Sequence, residues 1–464
     1  MIEFFRIKMI NEKQKRSSKV GWLTLLIMTL MSIESFAQQE NYTNLTLKDV
    51  LQIALNTNHE IKKAKLNVEN SKYITKEVWA SALPNVVGNG GLVHSPLLQQ
   101  SVLPGEFFGQ PGTSILVALG QKWNTNIGVS VSQVLFNQSV FAGLKAARTS
   151  QELFELQSSL TEEAIIEQVT SIYYAILIQQ RKISVVDTTI SNTQKTLDIA
   201  ITQYENGLIK ELDKNRLKVT VSNLKSQHQH LQNELDILVN QLKLIAGIPI
   251  AETITLSKTE SFKKNETIAE NVNISNRTEM MMLETQQKLL QIELQATKAG
   301  RYPTLTLNGN YSYQGLSDEF PYTAGDKTNW FDVASISLNL RIPIFNGFAT
   351  NAKIQQSKIA NQIIQEDIAL TTNQLNFAVA NAKNQIENSL ITLNIQKENV
   401  ELAREVASSI KVNYNNGLAS LNDLLSSETS LTESENNYLM AMLNYKIAEI
   451  ELIKAAGNLK NLIK

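Results

Sequence analysis

The sequence predicts an α+β membrane protein in which a helix, two strands and a long helical hairpin occur twice in tandem. Three observations support this fold class: an amino-terminal export signal, two long stretches without proline, and four short segments in which apolar and polar residues alternate. At 464 residues, length alone suggests several domains, so internal repeats have to be considered first.

The first 37 residues have the pattern of an export signal. Six basic residues precede the apolar stretch 20–31, and Ser35-Phe36-Ala37 supplies the small residues that signal peptidase requires. A membrane anchor is the alternative, but about 12 apolar residues are too few to span a bilayer. Met9 is an alternative start of the chain.

Charge and cysteine content exclude several classes of function. Without residues 1–37, the chain keeps 37 basic and 41 acidic residues, a formal charge of −4, so a nucleic-acid partner is not expected. The chain has no cysteine, which excludes disulfides, thiolate chemistry and a lipid-modified cysteine. Any attachment to a membrane has to come from the polypeptide itself.

Two long helical hairpins are predicted where helix breakers are missing. Residues 112–248 and 344–464 contain no proline. Between Gly143 and Gly247 the only glycine is Gly207, and between Gly347 and Gly457 the only glycine is Gly417. Proline and glycine have the largest penalties in a helix interior. Each hairpin therefore bends at its glycine, with predicted arms 144–206 and 208–246 in the first hairpin and 348–416 and 418–456 in the second.

The two hairpins align without a gap at an offset of 210 residues, which indicates an internal duplication. Tyr204-Glu205-Asn206-Gly207-Leu208 falls on Tyr414-Asn415-Asn416-Gly417-Leu418, and Asp213 falls on Asp423. The expected boundaries are 38–247 for the first copy, 248–275 for a polar linker and 276–464 for the second copy.

Each copy is predicted to begin with a shorter helix and two strands. The helices cover 47–82 and 277–299; the strands cover 86–94, 123–131, 304–314 and 335–344, with glycine- and proline-rich loops at 95–122 and 315–331. Along the strands, Leu, Ile, Val and Tyr alternate with Asn, Ser and Thr. Such strands suit a barrel wall between lipid and water, although half-buried strands of soluble proteins have the same pattern.

These elements predict an oligomer that extends beyond the membrane. Four strands cannot close a barrel, and an open edge in lipid leaves backbone groups unpaired at a cost of several kcal/mol each. The long helical arms, about 95 to 104 Å at about 1.5 Å per residue, exceed a bilayer core of about 30 Å, so we expect them to project into the periplasm. The helix 47–82 and the arm 208–246 are expected to stack end to end beside the long arm.

The order, duplication and spacing of several short motifs resemble TolC-like outer-membrane efflux proteins, the outer membrane factor family. The motifs are Leu47 to Leu55 with Asn58-His59-Glu60-Ile61, Leu83-Pro84, Tyr302-Pro303, Leu135-Phe136-Asn137, Ile344-Phe345-Asn346-Gly347 and the paired Tyr-x-x-Gly-Leu bends. The resemblance covers nearly the whole mature chain. It implies a homotrimer in which four strands per chain form a 12-stranded outer-membrane β-barrel, continuous with a long periplasmic α-helical barrel.

The resemblance also implies a function and a set of partners. The protein would be the passive exit duct of a tripartite efflux pump or a type I secretion system. It would contact outer-membrane lipid, a periplasmic adaptor (membrane fusion) protein and an inner-membrane transporter. The adaptor contacts would be the tips at Gly207, Leu208, Gly417 and Leu418.

An acidic constriction of the tunnel is implied at Asp423, with Asp213 as its counterpart in the first copy. Two plainer interpretations stay open. The glycines permit a turn whatever they contact, and Ser420-x-x-Asp423 has the spacing of a capping box. Ala419 stands where some relatives have a basic latch residue, so a latch is not carried over.

The residues predict no enzyme chemistry, metal site or cofactor. His228 and His230 are two residues apart and diverge on a helix, and no nucleophile–base arrangement or phosphate-binding loop is present. A coiled-coil scaffold without a pore would explain the helices but not the four strands. A diffusion porin would have many more strands per chain.

Overall fold

The computed structural model describes residues 42–257, 273–322 and 327–463, which fall into two compact units. In the small unit, residues 42–46 run parallel to 250–257: Leu45 donates its N–H to the Thr255 carbonyl at 2.8 Å, and Ser257 donates to Leu45 at 2.8 Å. The predicted signal 1–37 and residues 258–272 of the predicted linker lie outside the described residues.

The larger unit contains the helices and strands that the sequence predicts, in the same order in both halves. Its helices are α1 (Leu47–Thr57), α2 (His59–Ala80), α3 (Gln138–Glu205), α4 (Glu211–Ala246), α5 (Thr278–Ala299), α6 (Ala349–Asn415) and α7 (Leu421–Ala455). Its strands are β1 (Asn85–His94), β2 (Gln100–Pro104), β3 (Ser114–Ala118), β4 (Trp123–Phe136), β5 (Thr304–Ser317) and β6 (Asn329–Arg341). Among the described helices, none has the length and hydropathy to cross a membrane.

Four strands form one antiparallel sheet in the order β1-β4-β5-β6, and its two faces differ in polarity. Because paired residues share a face, the register places Val131 beside Gly309 and Ile336, and Ser132 beside Asn308 and Ser337. The apolar side chains of the first face, such as Ile336, are largely exposed. On the other face Ser132 donates to the Asn308 amide oxygen at 2.9 Å. The predicted alternation is therefore confirmed.

The predicted helix 47–82 was wrong in one respect, because it consists of two helices. Asn58 adopts an extended backbone (φ −57°, ψ 131°), and its side-chain oxygen accepts hydrogen bonds from Glu60 and Ile61 as the N-cap of α2. An asparagine followed by two polar residues favours a cap over helix continuation. The predicted start of the long arm at residue 144 was also wrong. The helix starts at Gln138 and passes through Gly143, since one glycine costs about 1 kcal/mol and does not end a helix of 68 residues.

The predicted loops are shorter than expected. Residues 95–122 contain a second sheet formed by β2 and β3, and the strands next to 315–331 extend to Ser317 and resume at Asn329. β6 ends at Arg341, before the predicted end at residue 344. Proline and glycine in 95–122 suggested an irregular loop, but here they lie at the strand end and in the turn, where they are compatible with a hairpin.

The predicted stacking of helices is present, but at a different position. α4 ends at the junction between α1 and α2, where the Asn58 amide donates to the Ile245 carbonyl at 2.6 Å. Gly247 has φ +70°, and a Cβ atom there would lie 2.8 Å from the Thr57 carbonyl carbon and oxygen. Only α2 therefore continues the line of α4.

The helices pack as a row. α3 contacts α2 and α4 along one part of its surface and α5 and α7 along another, and α6 contacts α5 and α7. Within the described residues, no contact of similar extent joins α4 to α6. The order is therefore α2 with α4, then α3, then α5 with α7, and finally α6. α3 supplies the largest share of the core, through Ile166, Val169, Tyr173, Ile176, Ile178 and Val186.

Candidate functional site: the helical bends and the open sheet

The first helical bend follows α3 and ends in an exposed leucine. Gly207 has φ +74°, and the Leu208 N–H donates to the Gln203 carbonyl at 2.9 Å, which closes the last turn of the helix. A left-handed residue at this point is normally glycine, because a Cβ atom is disfavoured there. No atom lies within 4 Å of where that Cβ would be, so the backbone angle and not crowding requires glycine.

The second bend has the same geometry. Gly417 has φ +74°, and the Leu418 N–H donates to the Asn413 carbonyl at 2.8 Å. Leu208 and Leu418 are 74% and 77% exposed. Both bends therefore present one apolar side chain to solvent on an ordered backbone.

The two bends differ at the start of the helix that follows. α7 begins with a complete capping box, in which the Asp423 N–H donates to the Ser420 hydroxyl at 3.2 Å and the Ser420 N–H donates to Asp423 Oδ2 at 3.0 Å. The Ser420 hydroxyl also donates to Asp423 Oδ2, at 2.7 Å. The bond from Ser420 lowers the pKa of Asp423 below its ordinary value, so this exposed carboxylate is ionised at neutral pH. The N-cap residue of α4 is Lys210, whose side chain makes no capping hydrogen bond.

An apolar cluster holds the two bends side by side. Its buried members are Leu197, Ala200, Leu217, Val221, Leu421 and Leu424, which come from both hairpins, and Ile410 and Tyr414 of α6 pack against them. Tyr414 also faces Asp213: burial raises the pKa of the tyrosine hydroxyl, and the Asp213 carboxylate raises it further. The two predicted aspartates thus have different surroundings, since Asp423 faces Ser420 and Asp213 faces Tyr414.

Sequence reasoning placed Tyr414 in the second bend but identified neither its surroundings nor this cluster. The duplication aligns Tyr414 with Tyr204, which has a different partner: the Lys214 ammonium lies 3.9 Å from the Tyr204 ring centroid. The signal that was available is the apolar spacing of Leu197, Ala200, Leu217, Val221, Leu421 and Leu424 next to both bends. Local spacing does not reveal which helix of the other hairpin these residues contact.

The sheet and the helical row are open at both ends. In the described part of the chain, β1 and β6 each have an unpaired edge. The helices that lead to these strands, α2 with α4 on one side and α6 on the other, are also the ends of the row. Both ends expose apolar residues at seven-residue spacing, namely Leu66 and Tyr73, Leu212 and Val219, Ile363, Leu370 and Phe377, and Ile395 and Leu402.

Aromatic side chains mark both ends of the strands. At the end that joins β5 to β6, Trp123 stacks on His94 at 4.1 Å and meets the Phe320 ring edge at 5.0 Å, and Tyr313 stacks on Trp330 at 4.8 Å. At the end next to α6, Phe345 and Phe348 meet edge to face at 5.4 Å. Two aromatic belts on either side of an apolar band are typical of strands that cross an outer membrane.

Comparison with known proteins agrees with this geometry. The model of the "Outer membrane efflux protein" family matches residues 50–248 and 272–458. TolC of Escherichia coli K12 is 20% identical over 444 residues, which cover 94% of this chain and 86% of TolC; TolC of Vibrio cholerae is 21% identical over 338 residues, 72% and 76% of the two chains. The crystal structure of VceC from V. cholerae superposes with a TM-score of 0.72 at 15% identity, over 89% of this chain and 96% of VceC.

Proposed function

The chain belongs to the outer membrane efflux protein family, and on that premise we propose that it is the passive exit duct of a tripartite pump or a type I secretion system. Family membership makes the protein a trimeric channel of the outer membrane that works with other components of an efflux pump. We further propose that a periplasmic adaptor binds the two helical bends and that an inner-membrane transporter supplies the energy.

The exposure of Leu208 and Leu418 is the observation that supports the adaptor contact most directly. Each side chain lies on a hydrogen-bonded turn, so little conformational entropy would be lost on binding. The apolar cluster beneath them keeps the two bends adjacent, which presents both leucines to one partner. A helical hairpin with an apolar face would fit between such tips.

The open ends of the sheet and of the helical row support a specific trimer seam. β6 of one protomer would pair with β1 of the next, which satisfies both edges and closes twelve strands. Below the sheet, α6 of one protomer would pack against α2 and α4 of the next. The seven-residue spacing of exposed apolar residues on both sides, including Leu370 and Val219, is that of a coiled-coil seam.

We also propose that Asp423 contributes to an acidic constriction at the inner end of the tunnel. Both hydrogen bonds from Ser420 use Oδ2, which leaves Oδ1 to solvent. The capping role and the constriction are therefore compatible. Asp213 would act differently, because its charge acts on the Tyr414 hydroxyl and no capping box surrounds it.

The adaptor contact is tested by photo-cross-linking from Leu208 and Leu418 in cells that express the pump. We expect a periplasmic adaptor to be captured from both positions. Replacing both leucines with serine should abolish export and adaptor co-purification while the trimer still assembles, whereas replacement with methionine, which keeps an apolar side chain of similar volume, should preserve both. Normal export by the serine variant would contradict the proposal.

A further inference from the structure

Residues 95–122, which we call the outer ribbon, extend the β1–β4 hairpin beyond the sheet. The Ser95 N–H donates to the Lys122 carbonyl at 2.7 Å, and the Leu119 N–H donates to the Gln99 carbonyl at 3.2 Å, so β2 and β3 follow β1 and β4 in the same hairpin but form a separate sheet. Among the described elements, β2 and β3 pack extensively only against each other. A two-stranded ribbon of this kind is marginally stable on its own.

The tip of the outer ribbon is an ordered turn that displays two phenylalanines. Gly105 donates to the Thr113 carbonyl at 2.7 Å, Gln110 donates to the Gly105 carbonyl at 2.9 Å, and the Gly112 N–H donates to the Glu106 carboxylate at 3.3 Å. With its backbone bonded in this way, the turn leaves Phe107 79% and Phe108 53% exposed. Ordered aromatic side chains on a protruding turn are typical of binding anchors.

The rest of the outer ribbon is also apolar. Leu97, Val102, Leu116 and Leu119 are exposed, and Glu106 and Lys122 are the only charged residues in 95–122. The other connection at this end of the sheet, 318–328, is shorter and contains Asp318, Glu319, Asp326 and Lys327. Exposed apolar surface of this extent indicates a partner.

The position of the outer ribbon favours a second copy of the chain as that partner. β1 is an edge strand, so the ribbon rises beside the seam to the next protomer. Twelve strands spaced about 4.8 Å apart and tilted by about 40° enclose a radius of about 12 Å. The strands of the ribbon, five residues each, span about 17 Å at about 3.4 Å per residue, which is enough to reach the threefold axis from the rim.

We propose that the three outer ribbons of the trimer meet over the outer mouth of the channel, where Phe107 and Phe108 of each protomer pack against those of its partners. The contact buries the exposed aromatic tips and covers the mouth with an apolar cap. Cargo that arrives through the channel has to separate the ribbons. The second outer connection is shorter and contains four charged residues, so we assign the contact to the outer ribbon.

Disulfide cross-linking tests this contact, because the chain has no cysteine of its own. We expect Phe107→Cys trimers, oxidised in outer-membrane vesicles, to yield covalent dimers with one protomer left over, since Cβ atoms about 4 Å apart can be bridged. Glu319→Cys on the other outer connection is the matched control and should stay monomeric on denaturing gels. Monomeric Phe107→Cys after oxidation would overturn the proposal.

A second measurement separates closure of the mouth from insertion of the ribbon into lipid. Ser130 lies on the polar face of β4, so a bulky maleimide added outside the cell reaches Ser130→Cys only through the mouth of the channel. We expect labelling to be several-fold faster when Phe107→Ser and Phe108→Ser are added. With leucine at both positions, the labelling rate should equal that of Ser130→Cys alone. An unchanged rate in the serine background would contradict a cap. Quenching of a fluorophore on Phe107→Cys by brominated acyl chains would assign the ribbon to the membrane instead.

Discussion

Asn58 and Arg277 make the same contact in the two halves of the chain. Asn58 is the N-cap of α2, and its side chain donates to the Ile245 carbonyl at the end of α4, at 2.6 Å. Arg277 is the N-cap of α5, and its side chain donates to the Lys454 carbonyl at the end of α7, at 2.5 Å. Their surroundings differ, because Arg277 also binds both oxygens of Glu279. Burial disfavours the ionised form of Glu279, but the bonds from Arg277 outweigh it, and the pKa of Glu279 falls below its ordinary value.

Removal of the guanidinium should destabilise the trimer more than removal of the amide. Arg277→Ala leaves a half-buried carboxylate and a helix-end carbonyl without their partner, a loss of about 2 to 4 kcal/mol. Asn58→Ala removes an N-cap, which costs about 1 kcal/mol. The stabilities of the variants can be ranked by the temperature at which each trimer dissociates on electrophoresis.

The control for this comparison is Arg404, whose ion pair with Glu435 is exposed. Arg404→Ala should change the dissociation temperature little, because surface ion pairs contribute about 0 to 1 kcal/mol. Equal effects of Arg404→Ala and Arg277→Ala would show that the buried junction has no special stability.

Two glycines with nearly the same backbone angle should respond differently to alanine. Gly207 and Gly247 have φ +74° and +70°, but only Gly247 has atoms in the space of a Cβ. Gly207→Ala should cost about 1 kcal/mol from the left-handed backbone alone. Gly247→Ala adds a steric clash with Thr57 and should lower the dissociation temperature several times further; similar effects would mean that the α4–α2 junction moves apart freely.

Glu428 should make stability depend on pH. Burial raises the pKa of this carboxyl, and Lys411 and the Thr193 hydroxyl, which lower it, do not compensate. The folded state therefore binds the proton more tightly than the unfolded state, and stability falls as the pH rises above the ordinary pKa of 4.5. Glu428→Gln should raise the dissociation temperature at pH 7 but not at pH values near 4; a constant difference across this range would contradict the assignment.

Variants of Asp423 and Ser420 distinguish a role of Asp423 in the constriction from its role in capping α7. Asp423→Ala should raise single-channel conductance or weaken block by multivalent cations, because it removes a charge from the tunnel. Ser420→Ala removes the cap at a cost of about 1 kcal/mol but keeps the charge, so it should lower stability and leave conductance unchanged. Equal conductance in both variants would assign Asp423 to capping alone.

A charge in the proposed seam should prevent assembly. Leu370 is exposed on α6, and Leu370→Glu would place a carboxylate in the apolar contact with the next protomer. We expect monomers on native gels. Lys358 on the same helix is the control, and Lys358→Glu should still form trimers. Trimers of Leu370→Glu would move the seam to another face of α6.

Most of the fold was predictable from residue patterns. The missing prolines and glycines located the long hairpins, and alternation located the four main strands together with their polar and apolar faces. The break at Asn58 was not recognised, because a polar residue inside an amphipathic stretch is equally compatible with a position inside a helix and with an N-cap position. The outer ribbon was missed because Pro104 and Gly105 resemble a loop when strand pairing is unknown.

For the candidate site, the sequence predicted where the bends lie but not which residues contact each other there. Gly207 and Gly417 were recognisable by duplication and lie at the bends, as expected. Contacts between the hairpins, such as those in the apolar cluster that contains Leu217 and Leu424, join residues about two hundred positions apart in sequence, and local spacing gives no information on them. The adaptor, the constriction and the division into two copies with a linker stay predictions.

Single long helices alternate along the row with pairs of helices that are stacked end to end. α3 and α6, with 68 and 67 residues, run about 100 Å without a break, whereas α4 with α2 and α7 with α5 are interrupted at Asn58 and Arg277. A continuous helix resists shortening, so the inner end of the tunnel can widen only if α3 and α6 change their tilt. The stacked pairs, α4 with α2 and α7 with α5, then have to slide at their junctions. At one junction the neutral Asn58 amide donates to a helix-end carbonyl, and at the other the donor is the charged Arg277 guanidinium. The first hairpin should therefore yield to an applied load before the second, which makes opening a stepwise movement.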